Sequence, residues 1–171
     1  MEEKKWNNRT KKHPGGVCEA ATSLWLQRIS YKGIAVANTL KPEECDDLQT
    51  KCESGEYSWA VDLLDLLGGT PKASFDAFQT TQLKKQADAE KLLEAMVEND
   101  FRYISATGQS ASGHATALYR KNNEIYFFDP NYAIYWINIS KSKSEIPVLA
   151  KNIMENLKHW SDITSSPGKF K

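Results

Sequence analysis

Four short segments in the second half of the chain constrain its fold more than any other feature. They are dense in aromatic and β-branched residues, and turn-forming residues separate them, a pattern that is typical of successive β-strands. In chain order they read FRYISAT, HATALYR, EIYFFD and YAIYWINI. We therefore predict an antiparallel sheet in the C-terminal half.

The first half of the chain, and the segment that follows the predicted strands, have the spacing of amphipathic helices. After Val17, one helical face carries the apolar residues Ala20, Ala21, Leu24, Trp25 and Ile29. Further helices are predicted in EECDDLQTKC, YSWAVDLLDLLGG, TQLKKQADAEKLLEAMVEND and SEIPVLAKNIMENLKHW. Helices that precede an antiparallel sheet predict an α+β fold.

The length of 171 residues suits a single domain. Residues 1–12 are polar and charged, and residues 164–171, TSSPGKFK, read as a tail that need not pack. We expect both ends to be flexible and the domain to span residues 13–163.

Charge and hydropathy argue against two classes of partner. The 22 basic residues balance 22 acidic ones, so bulk electrostatics give no reason to expect a nucleic-acid partner. No apolar run approaches the roughly 18 residues that a membrane span needs. The N-terminus has no apolar core of a secretory signal, so we expect a protein that is made without a cleavable signal.

The three cysteines, Cys18, Cys45 and Cys52, form an odd and irregularly spaced set. This favours free thiols in a reducing compartment over a disulfide framework. Cys45 and Cys52 would share a helical face, but without a second pair or a nearby histidine they do not predict a zinc site. We expect neither a metal nor another cofactor.

Cys18 stands where a thiol can be activated. Gly15 and Gly16 let the chain turn sharply, and Cys18 then lies in the opening turn of the first amphipathic helix. Unpaired backbone N–H groups and the helix dipole favour a thiolate at that position. The alternative is a buried cysteine that only fills the core.

A predicted hairpin supplies a histidine and a carboxylate. With Asn122-Asn123 as a two-residue turn, Lys121 pairs with Glu124 and Leu118 with Phe127. Extending this register makes Asp129 the diagonal neighbour of His114, on one face of the sheet. His114 itself faces Asn131, which is a candidate orienting residue.

Cysteine, histidine and an orienting carboxylate are the components of nucleophilic thiol catalysis. The histidine takes the thiol proton and later protonates the leaving group, while the aspartate fixes the tautomer of the ring. The alternative is that His114 is a buried structural imidazole and that Asp129-Pro130-Asn131 is a turn.

Three motifs, GGVCEAATSLWL, SGHATALY and FFDPNYA, resemble the YopT/AvrPphB-type effector cysteine proteases of the papain-like superfamily. The resemblance extends from Gly15 to Tyr135, in the order Cys, His, Asp. It implies a papain-like fold, with the nucleophile at a helix N-terminus and the other two residues on the sheet. It also implies Cys18 as nucleophile, His114 as general base and acid, and Asp129 as orienting group.

Members of that family are typically bacterial proteins that are delivered into host cells, where they cut particular proteins. The resemblance thus implies a protein substrate, and it leaves room for a cognate chaperone or immunity protein. In one respect the sequence departs from the pattern, because papain-like enzymes usually carry Asn or Gln shortly before the cysteine to hold the oxyanion. Here His13 stands five residues upstream, and Asn7 and Asn8 are the nearest amides.

His13, Asn8 and Asn131 are therefore candidates for orienting or oxyanion support, beside the backbone N–H of Cys18.

Three functions remain open. The first is a cysteine endopeptidase, and the second is a papain-like glutamine deamidase, acyltransferase or cell-wall amidase toxin that works through the same thioester. The third is a catalytically inert interaction domain.

Overall fold

The computed structural model describes residues 1–57, 73–108, 113–140 and 145–171. Its helices are α1 (Cys18–Lys32), α2 (Ile34–Ala37), α3 (Asp46–Glu53), α4 (Gln86–Ala95) and α5 (Glu145–Asn156), and a 3₁₀ helix (Pro42–Cys45) leads into α3. Its strands are β1 (Glu2–Lys5), β2 (Ala73–Phe75), β3 (Thr81–Gln82), β4 (Asp100–Thr107), β5 (Gly113–Lys121), β6 (Glu124–Asp129), β7 (Ala133–Asn138) and β8 (Asp162–Phe170). The helix predicted in YSWAVDLLDLLGG lies, apart from Tyr57, outside the described residues.

The strands form one sheet in the order β1-β7-β6-β5-β4-β8-β2, and β3 also pairs with β8. The pairs described are antiparallel. The four predicted strands are confirmed as β4 to β7, which are consecutive neighbours within the sheet. The α+β class is also confirmed.

Each face of the sheet packs against helices because side chains alternate along the strands. On one face, Tyr103 and Ala117 join the core that contains Trp25 of α1. On the other, Ile104 and Leu118 join the core formed with α4 and α5. The sheet is therefore the central layer, and α1 is held against one side of it.

The helix predicted from Thr81 begins later, at Gln86. The first residues of the predicted helix, Thr81 and Gln82, form strand β3 instead and pair with β8. The Asp88 carboxylate then accepts the backbone N–H groups of Lys84 and Lys85, at 2.8 and 3.0 Å, just before the helix starts. A nearby acceptor for these donors favours a helix start at this point.

Both ends of the chain contain strands of the sheet, which contradicts the expectation that they are flexible. β1 pairs with β7, and the neighbouring Trp6 is buried. β8 lies between β4 and β2, and its last residue, Phe170, is also buried. A domain limited to residues 13–163 would therefore omit β1 and most of β8.

Candidate active site

Cys18 is the first residue of α1 and is half-buried. The preceding Gly16 has a φ of +112°, a conformation that side chains other than glycine rarely adopt. A Cβ on Gly16 would also lie 2.4 Å from Nδ2 of Asn8. The sharp turn expected before the cysteine is thus present, and both backbone and space require glycine at position 16.

His114 is the second residue of β5 and is 5% exposed. Its Nε2 lies 2.7 Å from Oδ1 of Asp129, a fully buried residue at the end of β6. The hairpin has the predicted register, with Lys121 opposite Glu124. The histidine therefore lies beside the carboxylate, as the alternation of side chains along the two strands predicts.

The surroundings of His114 favour its charged form. Burial by itself lowers the pKa of the imidazole, but hydrogen bonds with Asp129 and with the Cys18 thiol outweigh it and raise the pKa to about 9. Because Nε2 is occupied by Asp129, Nδ1 is the ring nitrogen left for Cys18. An imidazole placed between a carboxylate and a thiol can accept the thiol proton, and the imidazolium that forms can return it.

Trp160, which precedes β8, stacks on the imidazole of His114. The ring centroids are 5.9 Å apart and the planes are inclined by 12°. An aromatic face at this distance stabilises a cation and keeps water from one side of the ring. Sequence reasoning missed this residue, since nothing in the local pattern around Trp160 connects it to position 114.

Cys18 and His114 line the same cavity, which has a volume of about 470 Å³. Its walls come from the loop before α1, from the first turn of α1, from α3 and from the adjoining parts of β4 and β5. They include Gly15, Gly16, Glu19, Gln49, Glu53, Tyr103, Ser105, Ala106, Thr107, Gly113 and Ala115. The volume is within the usual range of ligand-binding pockets.

Two carboxylates, of Glu19 and Glu53, also line this cavity. Burial raises the pKa of Glu19, and the charge of Glu53 adds to the effect. Glu53 also lies 3.2 Å from the Nδ1 atom of His13. The described walls of the cavity thus contain two acids and no lysine or arginine.

His13 is not brought to the cavity. Its Nε2 lies 3.0 Å from the carbonyl oxygen of Asp46 and 3.0 Å from Oγ1 of Thr50, while Nδ1 faces Glu53. With both ring nitrogens directed at α3, His13 has no free donor for an oxyanion. The expectation that it supports an oxyanion does not agree with this geometry.

Asn8 and Asn131 are brought together. Nδ2 of Asn8 donates to Oδ1 of Asn131 at 2.7 Å, and Oδ1 of Asn8 accepts the backbone N–H of Val17 at 2.8 Å. The backbone N–H of Asn131 in turn donates to Oδ1 of Asp129 at 3.0 Å. Asn8 therefore connects the residue before Cys18 to the turn that follows Asp129.

Two further contacts fix the start of α1. Oε1 of Gln49 accepts the backbone N–H of Ala20 at 3.2 Å, which satisfies one of the N–H groups that the first helical turn leaves unpaired. The buried Thr22 donates its hydroxyl to the carbonyl of Ala115 at 3.0 Å, one residue after His114. The helix that carries Cys18 is thus tied directly to the strand that carries His114.

Within the described parts of the chain, no group of three or more His, Cys, Asp or Glu residues could hold a metal ion. No helix in those parts has both the length and the apolar character needed to cross a bilayer.

The fold and the cavity together define an α+β protein in which helices pack on a mostly antiparallel sheet. A cysteine at the start of a helix faces a histidine on that sheet across one cavity. A solved structure with a similar fold is that of the Pseudomonas avirulence protein AvrPphB. The likeness has a TM-score of 0.59, covers 94% of this chain and 95% of that chain, and has 14% sequence identity. At this sequence identity, the likeness shows a similar fold and nothing more. No protein-family model and no curated sequence matches the chain.

Proposed function

We propose that the protein is a cysteine endopeptidase with Cys18 as nucleophile, His114 as general base and acid, and Asp129 as the orienting carboxylate. The observation that carries the proposal is that Cys18 and His114 line one cavity while Asp129 lies 2.7 Å from the far nitrogen of the histidine. The three sequence motifs that resemble the YopT/AvrPphB-type proteases, and the AvrPphB-like fold, support the same conclusion.

In the proposed reaction, the Cys18 proton passes to Nδ1 of His114, and the thiolate attacks the carbonyl carbon of the scissile peptide. The tetrahedral intermediate collapses when the C–N bond breaks and the leaving amine takes the proton from the imidazolium. His114 then removes a proton from water, the resulting hydroxide attacks the thioester, and the C–S bond breaks to release the acid product. The departing Cys18 thiolate regains its proton from the imidazolium. The backbone N–H of Cys18 is the proposed oxyanion donor.

Asp129 keeps the ring of His114 in the required orientation during this cycle. Its hydrogen bond to Nε2 fixes the tautomer whose other nitrogen, Nδ1, faces the thiol. The raised pKa of His114, about 9, supports an imidazolium at neutral pH, because the carboxylate and the thiol both favour the charged ring.

We further propose that the protein is a bacterial effector that acts inside a host cell. The proposal rests on the similarity of its fold to an avirulence protein and on the resemblance of its motifs to effector proteases. The substrate is accordingly a host protein, and a chaperone or immunity protein in the producing cell remains a proposed partner.

The first test needs no substrate. The rate at which iodoacetamide alkylates each cysteine is measured by peptide mass spectrometry at several pH values, in the wild type, in His114→Ala and in the exposed-histidine control His159→Ala. We expect Cys18 to react much faster than Cys52 at about pH 6, and to lose this advantage in His114→Ala but not in His159→Ala. Equal reactivity of Cys18 and Cys52 would favour the inert interaction domain.

The second test identifies the reaction. Wild type and Cys18→Ala are expressed in eukaryotic cells, and new protein N-termini are compared by mass spectrometry, with Cys52→Ser as control. Cleavage products that require Cys18 support the endopeptidase. A mass increase of about one dalton on an intact target would instead indicate glutamine deamidation, which proceeds through the same thioester.

A further inference from the structure

The N-terminal segment contacts both parts of the proposed catalytic site, the turn that follows Asp129 and the loop that precedes Cys18. The buried Trp6 donates its backbone N–H to the carbonyl of Tyr132 at 3.0 Å, at the turn between β6 and β7. Two residues later, Asn8 is 9% exposed and lies against the loop that precedes Cys18. A single stretch of chain therefore contacts the Asp129 turn and the nucleophile loop.

Asn8 holds the nucleophile loop by two bonds to one group. Its side-chain Oδ1 and its backbone carbonyl both accept the N–H of Val17, at 2.8 and 2.9 Å. Its side chain also occupies the space that a Cβ on Gly16 would need. The position of the residue directly before Cys18 thus depends on where the Asn8 side chain lies.

The side-chain nitrogen of Asn8 contacts the turn that follows Asp129. Nδ2 of Asn8 donates to Asn131, and the backbone N–H of Asn131 donates to the Asp129 oxygen that faces Nε2 of His114. This is a continuous series of hydrogen bonds from Val17 to His114. It connects the loop before α1 to the sheet, and the relative position of α1 and the sheet sets the distance between the thiol and the imidazole.

We propose that Asn8 is a positioning residue of the active site, which holds the Cys18 loop and the His114–Asp129 pair in reacting geometry through its side-chain bonds to Val17 and Asn131. The proposal rests on the proposed thiol chemistry of Cys18 and His114. Asn8 is not among the residues that line the cavity, so it acts by orientation rather than as an oxyanion donor. A displacement of about 1 Å between reacting groups is enough to cost a large factor in rate.

The test uses the full chain and the alkylation assay with iodoacetamide. The variants are Asn8→Ala, which removes both side-chain bonds, and Asn8→Asp, which keeps the acceptor for Val17 and can accept from Asn131 once the Asn131 amide is turned over. Asn7→Ala is the matched control, because Asn7 is the adjacent, exposed asparagine. Thermal unfolding of each variant is recorded in parallel.

We expect Asn8→Ala to slow alkylation of Cys18 at about pH 6 by about tenfold or more, relative to Cys52 in the same molecule. Asn8→Asp and Asn7→Ala should stay within about threefold of the wild type, a rescue that the orienting bonds explain. A merely structural Asn8 would lower the unfolding temperature of Asn8→Ala and leave the pH profile of Cys18 alkylation in the folded protein unchanged. That result would overturn the proposal.

If Asn8→Ala fails to fold, Asn131→Ala breaks the Asn8–Asn131 bond from the other side and should also slow the alkylation of Cys18 at about pH 6. If both single variants fold, we expect no more loss in the double variant Asn8→Ala/Asn131→Ala than in the more affected single variant. Fully multiplicative losses would contradict a shared bond. If His114→Ala itself leaves Cys18 alkylation unchanged, the proposed function and the role of Asn8 both fail; if only Asn8→Ala leaves it unchanged, the proposed function stands and the role of Asn8 fails.

Discussion

At the scale of single residues, the protonation of His114 decides what the site can do. A buried imidazole with no partner would be neutral, since burial lowers its pKa. Here the ring bonds to Asp129 on one side and to Cys18 on the other, and Trp160 stacks on its face. Its charge is therefore a property of three neighbours that belong to separate parts of the chain.

The Asp129→Asn variant tests this account. We expect the pKa of His114 to fall from about 9 to about 6.5 or lower, because the amide keeps the shape of the carboxylate but removes its charge while burial remains. The measurement is an NMR titration of the His114 ring signal. Asp47→Asn, which changes an exposed carboxylate, should leave the titration unchanged.

At the scale of elements, the contact between α1 and β5 aligns the nucleophile with its base. The hydroxyl of Thr22 reaches the carbonyl of Ala115 across the interface, in a fully buried position. Without this donor, the buried carbonyl would have to give up a hydrogen bond that water cannot replace. One threonine thus fixes the approach of a helix to a strand.

We expect Thr22→Val to lower the free energy of unfolding by about 1–3 kcal/mol, since the shape is kept and only the hydroxyl is lost. Thr39→Val is the matched control, because Thr39 makes the same kind of bond, to the carbonyl of Val36, at an exposed site that water reaches. That variant should change the free energy by less than about 0.5 kcal/mol. Urea unfolding of both variants measures the difference, and equal losses would contradict the explanation.

Strand β8 is poor in apolar residues and yet is an interior strand of the sheet. It pairs with β4 over eight residues, so its backbone groups are satisfied even where its side chains are small. Gly168 lies opposite Phe101, whose ring would come within 2.1 Å of a Cβ at that position. The absence of a side chain at Gly168 is therefore part of the packing of Phe101.

A Gly168→Ala substitution should destabilise the protein by about 1–3 kcal/mol, because the Phe101 ring has to move within a dense core. Gly15→Ala serves as control, since a Cβ at Gly15 would meet no atom within 4 Å. Thermal or urea unfolding of the two variants provides the comparison. An unchanged stability of Gly168→Ala would show that the Phe101 ring can be displaced at little cost.

At the scale of the whole molecule, the charge on His114 couples the site to the stability of the fold. The pKa of His114 is about 9 in the folded protein and near 6.5 in an unfolded chain, so the folded state holds this proton more tightly. The resulting stabilisation is fully present below about pH 6.5 and is lost as the pH rises through about 9. The opposite trend would require a lowered pKa.

We therefore expect the free energy of unfolding of the wild type, relative to that of Asp129→Asn, to decrease by roughly 3 kcal/mol between about pH 6.5 and pH 9. The subtraction removes the titration of groups that the two proteins share. Denaturant unfolding at a series of pH values measures this difference. A difference that is constant across the range would contradict the raised pKa.

The sequence determined what depends on neighbours along the chain. The period of two and the Asn122-Asn123 turn are local, so the register of the β5–β6 hairpin and the approach of His114 to Asp129 were predictable. The glycine before Cys18 and the apolar face of α1 are likewise local patterns. They were sufficient for the fold class and for the three residues of the proposed triad.

The tertiary structure decided what depends on packing between distant segments. No local pattern indicates that Trp160 covers His114, or that His13 turns away from Cys18 toward α3. The two ends of the chain have few apolar residues, and they became strands because β7 and β4 offered free backbone donors and acceptors. The contact of Asn8 with Asn131 also depends on packing, because a hydrogen bond between residues far apart in sequence forms only once the segments that carry them have packed together.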